Sequence, residues 1–186
     1  MEARELGLYI GGMAFLIILS AYFSATETAF TSVNRIKLKN MAGDGNMRAK
    51  KVLLLEEHYD TLLSTILVGN NIANIATTAI ATVFFVNLYG RYGPTISTIV
   101  ITVTVLIFGE ISPKNLAKEY PEKFAMFSAP LISLLMTVFT PINWIFAQWK
   151  KLLRLIFKVN LDKGITEEEI KTLVEEAATE GNIMSE

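Results

Sequence analysis

From Leu62 to Leu88 the chain carries no charged residue, and the same holds from Pro94 to Gly109 and from Phe124 to Trp149. A further apolar run, Gly7 to Thr31, is interrupted only by Glu27. Runs of this kind read as membrane-crossing segments of a bilayer whose hydrocarbon is roughly 30 Å thick. In lipid every backbone N–H and C=O must be satisfied within the protein, so the runs are expected to be helices. The chain is 52% hydrophobic and 19% charged, too apolar for an ordinary soluble domain. The expected class is an all-α integral membrane protein. The N-terminus begins acidic, not basic, and its apolar stretch is long, so it is expected to be a retained span and not a cleaved leader.

Charge decides how many segments cross. Arg35, Lys37, Lys39, Arg48, Lys50 and Lys51 follow the first run, and Lys114, Lys118 and Lys123 follow the third. Both groups belong in the cytoplasm, whereas the connection with only Arg91 belongs outside. Lys150, Lys151, Arg154, Lys158 and Lys163 after the fourth run also belong inside, which four crossings would forbid. Three spans are therefore expected, with the N-terminus outside and the C-terminus in the cytoplasm. Pro130 and Pro141 are expected to break residues 124–149 into pieces of about ten residues, too short to span alone, as a re-entrant hairpin or a belt against the bundle. A kinked fourth span is the alternative. Lys150–Val159 reads as an interfacial helix. Residues 1–160 form the membrane domain in this reading. Residues 161–186 begin an acidic cytoplasmic linker helix, with a capping box at Thr166 and Glu169, leading to a domain this chain omits.

The polar residues inside the runs narrow the chemistry. Ser20, Ser24 and Thr28 share one helical face, and so do Asn70 and Asn74, with Thr77 and Thr78 extending it and Ser64 farther up. Asn71 points elsewhere. Membrane serines and asparagines can serve as packing or interhelical hydrogen-bonding residues, which is the plain alternative to a site. Glu27 reads either as an inward-reaching carboxylate or as a cytoplasmic-end partner of Arg35 or Lys37. Glu110 closes the third run; a carboxylate at membrane depth is a functional-site hypothesis by default, the alternative being a pair with Lys114 one turn on. Pro113 is expected to break the helix and free carbonyls near Gly109. Hydroxyls, amide oxygens, a carbonyl and a carboxylate are ligands for a hard cation such as Mg²⁺ or Ca²⁺. With no cysteine and one histidine (His58, in a charged surface stretch), disulfides, iron–sulfur clusters and thiolate or multi-histidine zinc sites are excluded. A net charge of −1 gives no case for nucleic-acid binding. Trp144, Trp149, Tyr89 and Tyr92 read as interface anchors.

Three stretches carry a resemblance. "LSAYFSATETAFTSVNRIKLKNMA", "STILVGNNIANIATT" and "GEISPKNLAKEYPEKFA" resemble, in this order, the signatures of the DUF21 transmembrane domain of the CorC/CNNM (HlyC/CorC) magnesium transporters. "ITEEEIKTLVEEAATEGNI" resembles the linker to that family's paired ATP-binding CBS domains, which with the CorC domain are not in this chain. The resemblance implies a homodimer in the plasma (inner) membrane, three spans per subunit with juxtamembrane helices, and Mg²⁺ efflux driven by inward Na⁺ movement. It implies a Mg²⁺ site at Ser20, Ser24, Asn70, Asn74, Gly109 and Glu110, with Ser64 a further candidate. It implies no enzyme activity, and the spans hold no Ser–His or paired-Asp arrangement. The rival expectation is a membrane anchor and Mg²⁺ sensor for a cytoplasmic regulatory domain.

Overall fold

The computed structural model describes residues 3–157 and is helical throughout, with no strand among the described residues. The capping box at Thr166 and Glu169, the acidic helix and the boundary at residue 160 lie outside them. Helix α1 (Ala3–Ser32) and α4 (Tyr59–Tyr89) are the two long apolar rods. Tyr9 meets Phe84, Gly12 faces Ile80, Ser20 bonds Asn70, and Phe23 packs on Gly69, so the two run antiparallel. Gly90, with φ of +55°, then reverses the chain through a 3₁₀ turn (Gly90–Tyr92). The return leg is α5 (Gly93–Thr104), a π-helical segment (Val105–Ile111) and α6 (Ser112–Glu119). Gly93 lies against the backbone of Val86, Ser97 opposite Thr82, and Glu110 opposite Asn74, an antiparallel hairpin. Two continuous helical stretches, Arg4–Ser32 and Tyr59–Glu119, are long and apolar enough to cross a membrane, and a bent helix pair is a third candidate. The second stretch contains the hairpin and therefore both of its legs.

The bent pair is α7 (Pro121–Val138) and α8 (Thr140–Phe157), turned by 73° at Phe139. This corrects the expectation of two proline breaks. Pro130 sits inside an unbroken α7 of 18 residues, and the only break lies beside Pro141. A proline costs the helix one hydrogen bond and a local clash, which packing of the flanking turns offsets here: Ala125, Ala129 and Ile132 are fully buried.

The basic connection between the first two rods is itself two helices, α2 (Arg35–Gly43) and α3 (Met47–Glu56). Asn34 and Asn46 cap them, each side-chain oxygen accepting from two backbone N–H groups at 3.0–3.2 Å. Their buried faces (Leu38 and Ala42; Ala49, Val52 and Leu55) form one apolar core with the second half of α1, the start of α4, and α6 and α7. Buried Glu122 at the start of α7 accepts from Lys37 Nζ at 3.0 Å and Asn34 N–H at 3.4 Å, tying α7 to α2. The chain divides into two compact units, 1–145 and 146–186. In the second, the described residues continue the α8 helix, with Trp149, Leu152 and Ile156 exposed alongside Lys150 and Lys151.

Candidate cation site

All six residues singled out from sequence lie on three neighbouring elements: α1, α4 and the π segment. Ser20 Oγ donates to Asn70 Oδ1 at 2.9 Å, linking α1 to α4. Asn74, one turn on, donates through Nδ2 to Glu110 Oε1 at 3.4 Å, linking α4 to the π segment. Gly109 closes the ring, since a Cβ there would stand 3.1 Å from Ser20 Oγ. Ser24, one turn from Ser20, is fully buried, and its Oγ has no hydrogen-bond partner; nor has the buried Oδ1 of Asn74. Unsatisfied buried oxygens are costly and uncommon, and these two flank the Ser20–Asn70 bond, one turn away on α1 and on α4. The depth of Glu110 follows from its partner. Asn74 lies about 15 residues from either end of α4, roughly 22 Å at about 1.5 Å per residue. The carboxylate therefore sits at mid-bundle and not at a rim.

The chain at Glu110 widens instead of breaking. Ser112 N–H donates to Ile107 O, five residues back, so the register is π, and α6 follows directly. This corrects the expected break at Pro113. The proline lacks the N–H that would reach Phe108 O in the π register or Gly109 O in the α register, and a register change accommodates the loss. Such π turns occur often at functional sites.

Three further residues escaped the sequence reading as site candidates. A cleft of about 240 Å³ opens between α4 and α5, lined by Asn74, Glu110, Thr78, Thr98 and Thr102 together with Ile101, Val105 and Leu106. Thr78 was noted only as extending the asparagine face. Thr98 and Thr102 were not noted, although their i, i+4 spacing in an apolar run was the available signal. Asn143 and Thr65 were also missed: Asn143 Nδ2 donates to Thr65 Oγ1 at 2.9 Å, both buried, fastening the start of α8 to α4.

Other candidates fall elsewhere. Glu27 pairs with Lys114 at 3.2 Å, which corrects its expected pairing with Arg35 or Lys37. Arg35 instead approaches Glu56 at 3.7 Å and Lys37 binds Glu122. The same contact removes Lys114 as the partner of Glu110. Ser64 bonds back to Asp60 O at 2.6 Å, within its own helix. Asn71 bonds back to Leu67 O and is exposed. Among the described residues no three His, Cys, Asp or Glu side chains group together, so any cation here is held mainly by neutral oxygens.

Residues 11–186 match the family described as the cyclin M transmembrane N-terminal domain. The chain belongs to the CNNM family. This CNNM domain is 41% identical over 164 residues to a UPF0053 protein of Haemophilus influenzae, covering 87% of the chain and 39% of that protein. It is 37% identical over 166 residues to the UPF0053 inner membrane protein YfjD of Escherichia coli, with the same coverage of each. It is 29% identical over 181 residues to a polyamine export protein of Haemophilus influenzae, covering 89% of the chain and 42% of that protein. The CNNM domain thus spans about two fifths of the length of these curated relatives. With its apolar helices, membership makes the chain a multi-pass membrane protein.

Proposed function

We propose that this CNNM domain is the transmembrane part of a Mg²⁺ exporter, coupled to inward Na⁺ movement and working by alternating access. The observation that carries the reading is the mid-bundle carboxylate of Glu110, on a π turn with Gly109 and beside Ser20, Asn70 and Asn74. Two hydroxyls, two amide oxygens, one carbonyl and one carboxylate make six oxygens, the octahedral shell Mg²⁺ requires at about 2.0–2.1 Å. Ser20, Ser24, Asn70, Asn74, Gly109 and Glu110 would supply them, the ion replacing the Ser20–Asn70 and Asn74–Glu110 hydrogen bonds. A single carboxylate leaves a divalent ion partly uncompensated, which suits a site that must release its cargo. Na⁺ would compete for the same class of oxygens.

The wider assembly follows from the same physics. Helices α2 and α3 and the basic residues of α6 and α7 gather at one end of the bundle, opposite the Gly90 turn with Arg91. The distribution of Lys and Arg assigns the first end to the cytoplasm and the N-terminus to the outside of the inner membrane. The bundle then has three spans, with α7 and α8 as the re-entrant or belt elements. A carboxylate opening into a cleft cannot face hydrocarbon without a large cost, which favours a homodimer enclosing that side. In the full-length protein, ATP-binding CBS domains and a CorC domain would follow on the cytoplasmic side.

The deciding experiment is Mg²⁺ titration of folded wild-type and Glu110→Gln protein, together with Mg²⁺ flux in liposomes under a Na⁺ gradient. Glu110→Gln is expected to weaken Mg²⁺ by about tenfold or more, 1.4 kcal/mol, and to stop flux. Unchanged affinity would overturn the site; binding without flux in the wild type would make the domain an anchor and sensor instead. Polyamine export is the second reading. It is favoured by the name of two relatives and by the apolar wall of Ile101, Val105 and Leu106 opposite polar groups. Spermidine flux without Mg²⁺ flux would select it.

A further inference from the structure

We propose that the cleft between α4 and α5 is a second cation subsite on the Gly90 side of Glu110. It would take a hydrogen-bond-donating cation: a metal ion with its water shell intact, or an alkylammonium. The inference rests on reading Glu110 as a cation-binding carboxylate and adds residues that this reading does not use.

The argument lies in which hydrogens are already committed. Thr78 Oγ1 donates to Asn74 O at 2.9 Å, and Thr98 Oγ1 donates to Pro94 O at 2.9 Å. Each hydroxyl has one hydrogen, so both threonines present only lone pairs to the cleft. Asn74 spends an amide hydrogen on Glu110, while its Oδ1 is buried without a partner. Glu110 is acceptor-only when ionised. No Lys, Arg or His lines the cleft, and backbone N–H groups of helices are already used. The polar wall is therefore mainly an acceptor surface, its remaining side-chain donors being the second Asn74 amide hydrogen and the Thr102 hydroxyl. An anion would face the Glu110 carboxylate with no cationic side chain in the lining to offset it.

The geometry favours a hydrated ion over a bare one. The back-bonds hold the Thr78 and Thr98 hydroxyls to their own helices, on facing walls of the cleft, where shell waters can bridge them. Six shell waters at about 30 Å³ each occupy roughly 180 Å³, which the cleft of about 240 Å³ accommodates. Ile101, Val105 and Leu106 complete the wall and would suit the methylenes of an alkylammonium. At the far end Thr82 and Ser97 approach at 3.4 Å across the seam, which continues the polar line toward the hairpin turn. A cation arriving from or leaving toward that side would keep its shell until it met the inner ring.

Hexaamminecobalt(III) tests this directly, because it presents N–H donors like a hydrated metal and cannot shed them. Calorimetric titration of the whole purified chain is expected to show that it binds. Thr98→Val/Thr102→Val should weaken it about tenfold, and Thr98→Ser/Thr102→Ser should restore it, which separates hydroxyl loss from misfolding. Ser20→Ala/Ser24→Ala should have the opposite selectivity, weakening Mg²⁺ and sparing hexaammine. Spermidine in a parallel arm distinguishes the source: dependence on the same threonines for spermidine alone assigns the cleft to alkylammonium. If neither cation binds, or if both bind the valine variant as they bind wild type, the proposal is overturned. Failure of the inner site reads out separately, as Mg²⁺ affinity that ignores Glu110→Gln.

Discussion

Single atoms set the inner ring. Gly109 is where they are tightest, since a methyl there would meet Ser20 Oγ at 3.1 Å and Val105 Cγ1 at 3.4 Å. Gly109→Ala is expected to displace the serine hydroxyl from Asn70 and weaken Mg²⁺ about tenfold. The overpacking should cost only about 1–3 kcal/mol of stability, so calorimetric titration alongside thermal melting separates the two effects. A fall in Tm with unchanged Mg²⁺ affinity would remove Gly109 from the site. Glu56, on α3 outside the spans, gives a pH prediction. Burial raises its carboxyl above the ordinary value, and the Arg35 charge at 3.7 Å offsets this only in part. A carboxyl with a higher pKa folded than unfolded binds protons preferentially in the folded state, so its ionisation subtracts stability as pH rises through the raised value. Glu56→Gln should raise Tm at pH 7, and the advantage should vanish as pH falls below the usual 4.5. A Tm difference independent of pH would contradict this. The serines, asparagines and Glu110 were visible in the sequence because polar groups are expensive in an apolar run. Thr98 and Thr102 were not, because a lone hydroxyl that can bond its own helix costs little and gives no such signal.

At the scale of helices, two glycines hold the legs together by different means. A Cβ at Gly69 would overlap the ring of Phe23, a side chain, whereas a Cβ at Gly93 would overlap the backbone of Val86 and Phe85. A ring can shift and a helix backbone cannot do so without opening the hairpin. Gly93→Ala should therefore destabilise more than Gly69→Ala, which is expected to cost about 1–3 kcal/mol. Phe23→Leu should relieve only the second. Thermal melts of the three variants decide it, and equal losses would show that the hairpin seam gives as easily as the α1–α4 contact. The long apolar runs placed α1, α4 and the start of the return leg to within a few residues, but the return leg continues past Gly109 to Glu119. Helices α2 and α3 were not legible as helices, since their apolar faces are short and lie among basic residues. The single break at Phe139 was also not legible: Pro130 and Pro141 look alike in sequence, and only the buried small residues around Pro130 let the helix run through it.

At the scale of the molecule, the open cleft carries a prediction about assembly. One chain leaves the side holding Glu110 and the cleft threonines uncovered, and hydrocarbon against a carboxylate is unfavourable by several kcal/mol. The protein in mild detergent is therefore expected to have a protein mass of about twice 20.7 kDa. Multi-angle light scattering with the detergent contribution subtracted measures this. A monomer that still binds Mg²⁺ would show that water alone fills the cleft.

The sequence by itself determined the class of fold, because lipid leaves an uncharged run no option but a helix. It also limited the side-chain ligands any cation could find in the spans to oxygen, because there is no cysteine and the one histidine lies outside them. Its three ordered motifs were enough to point to the family. Tertiary structure alone decided the partners: Ser20 with Asn70 across 50 residues, Glu27 with Lys114, and Glu110 with Asn74 on a π turn. The reason is rotational. A helix that is apolar on every side carries no stripe to say which face turns inward, so its rotation is set only when neighbouring side chains interlock.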